Sequence, residues 1–228
     1  MDNQIRVFFT STEGLSNELQ QRIFNTLPTL QKNKVVETRS KKRQKEFIVG
    51  RALLIQALLS EKKIQTLPPI LEKEFEAPTV YGLEGCYVSI SHSKDLVCCV
   101  LHTGPVGIDV EYKKNIENIE NMIDKSDFFM NYEELVKLQA MPEGNQRLNY
   151  FYETWCAKEA IFKSFDRATQ KQTSLKNIQL SILLRGLKYS LFNREINNYH
   201  LSLVCQGMYS SVQLTSVDLE SYLLNFET

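Results

Sequence analysis

The stretch G-P-V-G-I-D-V-E, Gly104 to Glu111, decides how the chain is divided and where its chemistry lies. Gly104-Pro105 interrupts any regular element, and V-G-I-D-V-E behind it alternates as a strand does. Side chains along a strand point to opposite faces in turn, so Val106, Ile108 and Val110 face one way and Gly107, Asp109 and Glu111 the other. Two carboxylates therefore stand side by side, with Cα atoms roughly 6–7 Å apart. Like charges that close repel, and a hard divalent cation relieves the repulsion; magnesium suits oxygen ligands and commonly takes one or two carboxylates plus substrate phosphates. An ordinary half-buried strand with a solvated polar face alternates in the same way and is the commoner case, so the hexapeptide alone does not separate the two readings.

Outward from this point the chain runs through two similar cycles. Upstream, Ile5–Phe9 reads as a strand, Glu18–Leu27 as a short helix ended by Pro28, and Val35–Glu61 as one long helix whose first half is basic. Residues 66–85 hold Pro68, Pro69, Pro78, Gly82 and Gly85, which is loop chemistry. Strands follow at Tyr87–Ser91 and Leu96–Leu101 across a short polar turn. Downstream, helical patterns fill Ile116–Met141 and Arg147–Phe165, and strand-like runs cover Ile178–Leu184, Lys188–Asn193, Tyr199–Cys205 and Ser211–Leu214. Helices first and antiparallel strands after, twice over, predict an α+β chain of two related lobes, 1–104 and 105–228.

Composition bounds the function. A chain of 228 residues with 43% hydrophobic and 24% charged residues has the proportions of a globular protein, which excludes disordered and fibrous classes. Its 27 basic and 27 acidic residues cancel, so there is no global field for nucleic acid or an anionic membrane and any anionic partner must meet a local cluster. No apolar run approaches the roughly 18 residues of a membrane span, and the start lacks the basic head and apolar run of a secretory signal, so a cytoplasmic location is expected. Five cysteines without a C-x-x-C spacing suggest reduced, mostly buried thiols.

Three further segments carry chemistry-bearing residues. In W-C-A-K-E-A-I-F-K, Trp155 to Lys163, helical spacing puts Trp155, Glu159, Phe162 and Lys163 on one side. Glu159 and Lys163 are spaced for a surface ion pair worth about 0.3–0.5 kcal/mol; equally, Glu159 suits a third metal carboxylate or a proton acceptor, and Lys163 a phosphate. In S-I-S-H-S, Ser89 to Ser93, His92 with the hydroxyls of Ser91 and Ser93 suits a phosphate, although a single histidine at a strand end is more often structural. In R-S-K-K-R-Q-K-E-F-I-V-G-R, Arg39 to Arg51, solvated lysines explain the beginning, but Arg51 lies in a helix face otherwise turned to the core.

Taken in order, G-R-x-L-L at Gly50–Leu54, S-I-S-H-S, G-I-D-V-E at Gly107–Glu111 and W-C-A-K-E-A-I-F-K resemble the 4'-phosphopantetheinyl transferases of the surfactin-synthetase-activating (Sfp) type. The resemblance spans Lys34 to Lys163 and implies two similar α+β lobes related by a pseudo-twofold axis, with the active site between them. It implies a monomer, because the single-lobe relatives that assemble as trimers are about half as long. The implied reaction moves phosphopantetheine from coenzyme A to a serine of an apo acyl or peptidyl carrier protein with Mg2+, releasing adenosine 3',5'-bisphosphate. By motif position Asp109, Glu111 and Glu159 are the metal ligands, and Glu159 and Lys163 the catalytic pair. Ser91 and His92 contact the nucleotide, Lys163 the diphosphate, Arg51 belongs to the coenzyme pocket, and Lys34 is a candidate for the 3'-phosphate. Of the family's usual G-K-P only the proline is kept in the matching stretch Glu74-Phe75-Glu76-Ala77-Pro78, so the adenine end is expected to bind weakly unless another residue substitutes, Lys73 being the nearest in sequence. Two other readings stand beside this one: a catalytically silent homologue that binds carrier proteins as a scaffold, disfavoured by the intact acidic trio with Lys163, and a nucleic-acid-binding module, disfavoured by the neutral charge balance.

Overall fold

The computed structural model describes residues 4–61, 69–73, 76–113, 124–185 and 188–226. In chain order the elements are β1 (Gln4–Ser11), α1 (Asn17–Thr26), α2 (Thr29–Glu37), α3 (Lys41–Glu61), β2 (Ile70–Leu71), β3 (Thr79–Val80), β4 (Tyr87–Ser93), β5 (Leu96–His102) and β6 (Val106–Tyr112). There follow α4 (Tyr132–Ala140), α5 (Asn145–Ser164), α6 (Arg167–Gln172), α7 (Leu180–Arg185), β7 (Tyr189–Ile196), β8 (Tyr199–Gln206), β9 (Ser211–Ser216) and α8 (Leu219–Leu223). The class is α+β, as expected. None of the helices among the described residues is long and apolar enough to cross a membrane, and the five cysteines are free thiols, four of them buried.

The chain forms two compact units, Met1–Gly104 with Tyr209–Thr228, and Pro105–Met208. The first has a sheet in the order β4-β5-β1-β9, antiparallel except for the parallel pair of β1 and β9. Its core lies between α3 and this sheet, where Ile48, Leu54 and Leu58 meet Phe8, Val97 and Cys99. Gly50 lets the helix approach: a Cβ there would lie 3.2 Å from Ile90 Cγ2. Residues 209–228, assigned from the sequence to the C-terminal lobe, belong to this first unit. The strand pattern of β9 did not say which sheet it joins; the open edge of β1 takes it, and Leu219, Tyr222 and Leu223 complete the core beneath it.

The second unit has the antiparallel sheet β6-β8-β7 with α5 packed against it. Gly107 makes this packing possible, because a Cβ at that position would fall 1.8 Å from the Ala160 carbonyl oxygen and 2.9 Å from the Ser164 nitrogen. Each unit thus rests one long helix on antiparallel strands.

Two sequence expectations differ from the structure. The helix expected over Val35–Glu61 is broken: α2 ends at Glu37, and α3 restarts with the Arg43 N–H donating to the Ser40 hydroxyl (3.3 Å). The Gln44 side chain donates to the Val35 and Thr38 carbonyls (3.2 and 2.6 Å), satisfying groups the break would leave open. The run Ile178–Leu184, expected as a strand, holds the helix α7, whose Leu180, Leu183 and Leu184 recur at i, i+3 and i+4 and pack on Ile161, Ile178 and Tyr189. A short apolar run has no period long enough to separate the two states. Within the helix expected over Ile116–Met141, residues 114–123 lie outside the described residues and α4 forms the remainder, opened by a reciprocal cap between Asn131 and Glu134.

Gly107→Ala is expected to lose about 3 kcal/mol or more, since the obstacle is backbone and the helix itself must move. Gly50→Ala meets side chains alone, the Ile90 Cγ2 methyl at 3.2 Å and Val97 Cγ1 at 3.8 Å, which need give only a few tenths of an ångström, and is expected to change stability by under about 1 kcal/mol. Urea unfolding midpoints of the two variants measure the contrast.

Candidate functional site

With Gly107 under α5, the same face of β6 carries Asp109 and Glu111 toward that helix. Asp109 is buried, its side chain 5% exposed, and accepts a 2.6 Å hydrogen bond from Lys163 Nζ on α5. Burial works against the Lys163 ammonium, but the charge and hydrogen bond of Asp109, with Glu159 and Cys156 adding, raise its pKa overall. Burial pushes the Glu159 carboxyl up; Lys163 opposes this, and Asp109 and Glu111 reinforce it. The Cys156 thiol, donating to the His200 carbonyl at 3.7 Å, is driven well above its usual range by burial and by the same two carboxylates. Asp109, Glu111, Glu159 and Lys163 therefore share one electrostatic environment on facing elements of one unit, rather than a solvated helix face.

Three carboxylates against one ammonium leave an excess of negative charge, and anionic oxygen donors suit a hard divalent ion in kind. Among the described residues no three His, Cys, Asp or Glu side chains are gathered closely enough to form a ligand shell as they stand.

Sequence reasoning overlooked two neighbours. Lys158 is fully buried and donates to Glu134 Oε2 (2.6 Å) and to the Phe129 and Leu175 carbonyls (2.8 and 3.2 Å), tying α5 to the cap of α4. His200 stands on β8 opposite Glu111 of β6 and Glu195 of β7. It is 3% exposed, and neither ring nitrogen has a hydrogen-bond partner among the described residues. Burial lowers its pKa to about 4, with Lys113 adding and Glu195 and Asp109 opposing. A histidine within a strand pattern carries no signal of such burial.

In the first unit, His92 Nδ1 lies 3.5 Å from Glu46 Oε2. The ring borders a cavity of about 310 Å³ lined by Ser40, Lys42, Arg43, Glu46, Ser93 and Lys94. Of the other candidates, Ser91 is buried on the strand face opposite His92. Lys34 is exposed in the last turn of α2. Arg51 donates from Nε and Nη2 to the two oxygens of Glu72 (2.6 and 2.8 Å) and lies 4.2 Å over the Phe47 ring. Its burial, legible in the sequence, serves this clamp on residues 69–73. Ser40, Lys42, Arg43 and Glu46 were visible as part of a basic run, but not as the wall of a cavity with His92. Glu74 and Phe75, of the expected adenine loop, lie outside the described residues.

Comparison with known proteins bears on these residues. The family model described as the 4'-phosphopantetheinyl transferase superfamily matches residues 105–222, and that of the 4'-phosphopantetheinyl transferase N-terminal domain matches residues 31–102. The chain is 27% identical over 162 residues to 4'-phosphopantetheinyl transferase gsp of Aneurinibacillus migulanus, covering 66% of this chain and 62% of that one. It is 32% identical over 91 residues to a 4'-phosphopantetheinyl transferase of Bacillus subtilis, covering 40% and 38% of the two. A third relative, 4'-phosphopantetheinyl transferase HetI of Nostoc, is 26% identical over 126 residues, covering 53% and 52%. The matched part is thus under two thirds of each relative's length.

The folded pKa of His200, about 4, lies below its usual 6.5, so the unfolded chain binds the proton more tightly. The stability that the neutral ring allows is complete above about pH 6.5 and falls as the pH drops toward 4, by about 3 kcal/mol in all. His200→Leu is expected to remove that part of the acid sensitivity. Urea midpoints of wild type and variant between pH 8 and pH 4 give the difference directly.

Proposed function

The chain belongs to the 4'-phosphopantetheinyl transferase superfamily, Sfp type, and from this we propose that it transfers the 4'-phosphopantetheine group of coenzyme A to a serine of an apo acyl or peptidyl carrier protein. The product released is adenosine 3',5'-bisphosphate. The observation that supports this most directly is the buried Asp109–Lys163 pair at 2.6 Å beside Glu111 and Glu159. It combines an anionic oxygen donor set with a fixed cation, which cleavage of a diphosphate needs. In this reading the protein is a cytoplasmic monomer.

Asp109, Glu111 and Glu159 would hold Mg2+, which when bound neutralises charge on the diphosphate. Lys163, its side chain 29% exposed, carries its charge to the edge of this group. It meets the diphosphate there and stabilises the departing phosphate oxygen. A serine hydroxyl is a poor nucleophile until its proton is taken, and Glu159 takes it, directly or through water. In the first unit His92 addresses the nucleotide while Ser91, buried on the opposite strand face, does not reach it; Lys34 offers an exposed cation to the 3'-phosphate, and Arg51 acts by holding Glu72 and the chain at 69–73.

Incubation with coenzyme A, Mg2+ and a panel of apo carrier proteins, read by intact mass, tests the proposal; no mass gain on any carrier would overturn it. Chelation is expected to abolish transfer and added Mg2+ to restore it. Asp109→Ala is expected to abolish transfer with native circular dichroism, because the released Lys163 can reach water. Glu159→Gln should lower kcat by about 10²-fold or more.

A further inference from the structure

Directly opposed residues of antiparallel strands share a face, so the side of β6 that carries Gly107, Asp109 and Glu111 continues through Ser202 and His200 of β8 to Asn193 and Glu195 of β7. This is the side covered by α5, whose Cys156 thiol donates to the His200 carbonyl. Two polar rows cross it. In the row of Asp109 the central donor is satisfied, because the Ser202 hydroxyl donates to Asn193 Oδ1 at 2.8 Å. In the row of Glu111 it is not: His200 is 3% exposed, and neither ring nitrogen has a hydrogen-bond partner among the described residues. Burial lowers the pKa of the ring to about 4, so at neutral pH it is uncharged and carries one N–H. A buried donor without an acceptor is costly, and native chains keep few of them.

The charges that bear on the ring are Glu195, Lys113 and Asp109. Lys113 is itself a donor. Glu195 is drawn the other way, its side chain 51% exposed and its Oε1 held by Lys113 Nζ at 2.5 Å. Asp109 is the buried acid, a diagonal neighbour of His200 on the same face, and such neighbours stand roughly 7–8 Å apart, within reach of an aromatic ring. His200 is not itself a ligand in this arrangement, since among the described residues no three His, Cys, Asp or Glu side chains are gathered for an ion. A carboxylate that binds a metal is ordinarily held in turn by hydrogen bonds from behind. Lys163 gives Asp109 one such bond, on Oδ1, but in the reading above Lys163 also meets the diphosphate. We propose that His200 is a positioning residue of Asp109: its ring N–H closes on the Asp109 carboxylate as Lys163 engages the diphosphate, and keeps that acid in one orientation toward a divalent cation. The inference rests on the transferase reading and extends it to a residue outside the acidic set.

The test is Mn2+ binding to the full chain with coenzyme A present and no carrier protein, so that nothing turns over, followed by electron paramagnetic resonance. His200→Leu removes the donor and suits the buried position, and its Kd for Mn2+ is expected to rise about tenfold or more. His200→Gln keeps an N–H of similar reach and is expected to stay within about threefold of wild type. A ring that merely fills space would be replaced by leucine with no loss of affinity, so equal Kd values in wild type and His200→Leu overturn the proposal, as does a loss in His200→Gln equal to that in His200→Leu. A second measurement needs no substitution at His200. In the 15N-labelled chain, which has only three histidines, the ring N–H proton of His200 is expected to move downfield when Mg2+ and coenzyme A are added, and to stay in place in Asp109→Asn. A proton that does not move in the wild type, or that moves equally in Asp109→Asn, overturns the proposal while leaving the transferase reading intact. A wild type that binds no Mn2+ beside coenzyme A refutes the metal-dependent transferase reading, and the role of His200 falls with it.

Discussion

The approach of α5 to β6 at Gly107 is the constraint on which the acidic site depends. A β-carbon there would occupy the position of the Ala160 carbonyl, so the strand meets the helix backbone to backbone rather than through side chains. That closeness brings Lys163, one turn beyond Glu159, to within 2.6 Å of Asp109. It also places Cys156 where it feels Asp109 and Glu111. A bulkier residue would hold helix and strand apart, and an aspartate pushed toward water would no longer need a lysine.

Two lysines on α5 show how differently the same side chain is used. Lys158 is sealed, and three oxygen acceptors satisfy all three of its donors, so its contribution is to bind α5 to α4 and the segments around it. Lys163 is partly exposed and makes a close ion pair with an aspartate whose own burial is costly without it. The first arrangement leaves no capacity for a ligand. The second leaves the ammonium partly open to solvent, close to Glu159, whose carboxyl burial pushes up.

Alternation in V-G-I-D-V-E and helical spacing in W-C-A-K-E-A-I-F-K made the acidic site legible, because each pattern fixes direction within its own element. The Asp109–Lys163 contact was not legible: the i, i+4 spacing offered Glu159 as the partner, and only tertiary packing brings Asp109 into reach. Similarly, the hydrophobic period through Val35–Glu61 ran on across a break made by polar side chains, Ser40 and Gln44, which periodicity does not register. The placement of β9 depended on an open sheet edge, a property of the folded unit and not of its own six residues. Arg51 was correctly marked as buried, but burial of a cation says that it has a partner without saying which; Glu72 lies 21 positions away beyond a proline-rich stretch.

Both units place candidate site residues beside the glycine that lies between helix and strand. In the second, Asp109 lies two residues along the strand from Gly107, on the same face. In the first, Gly50 of α3 rests over Ile90, and His92 is two residues along that strand, on the same face, next to Glu46 one turn before the glycine. At such a point the strand's next side chain meets the helix's neighbouring turn at ion-pair distance, and the core on one side keeps that pair partly out of water. Electrostatic interactions strengthen as water is excluded, so a carboxylate buried at such a point acts more strongly on the group opposite it than one in water. Asp109 holds Lys163 in this way at 2.6 Å, and Glu46 lies 3.5 Å from His92. In both pairs the carboxylate is the buried member and its partner the more exposed one, 5% against 29% for Asp109 and Lys163 and 7% against 34% for Glu46 and His92, so in each the acid lies on the core side.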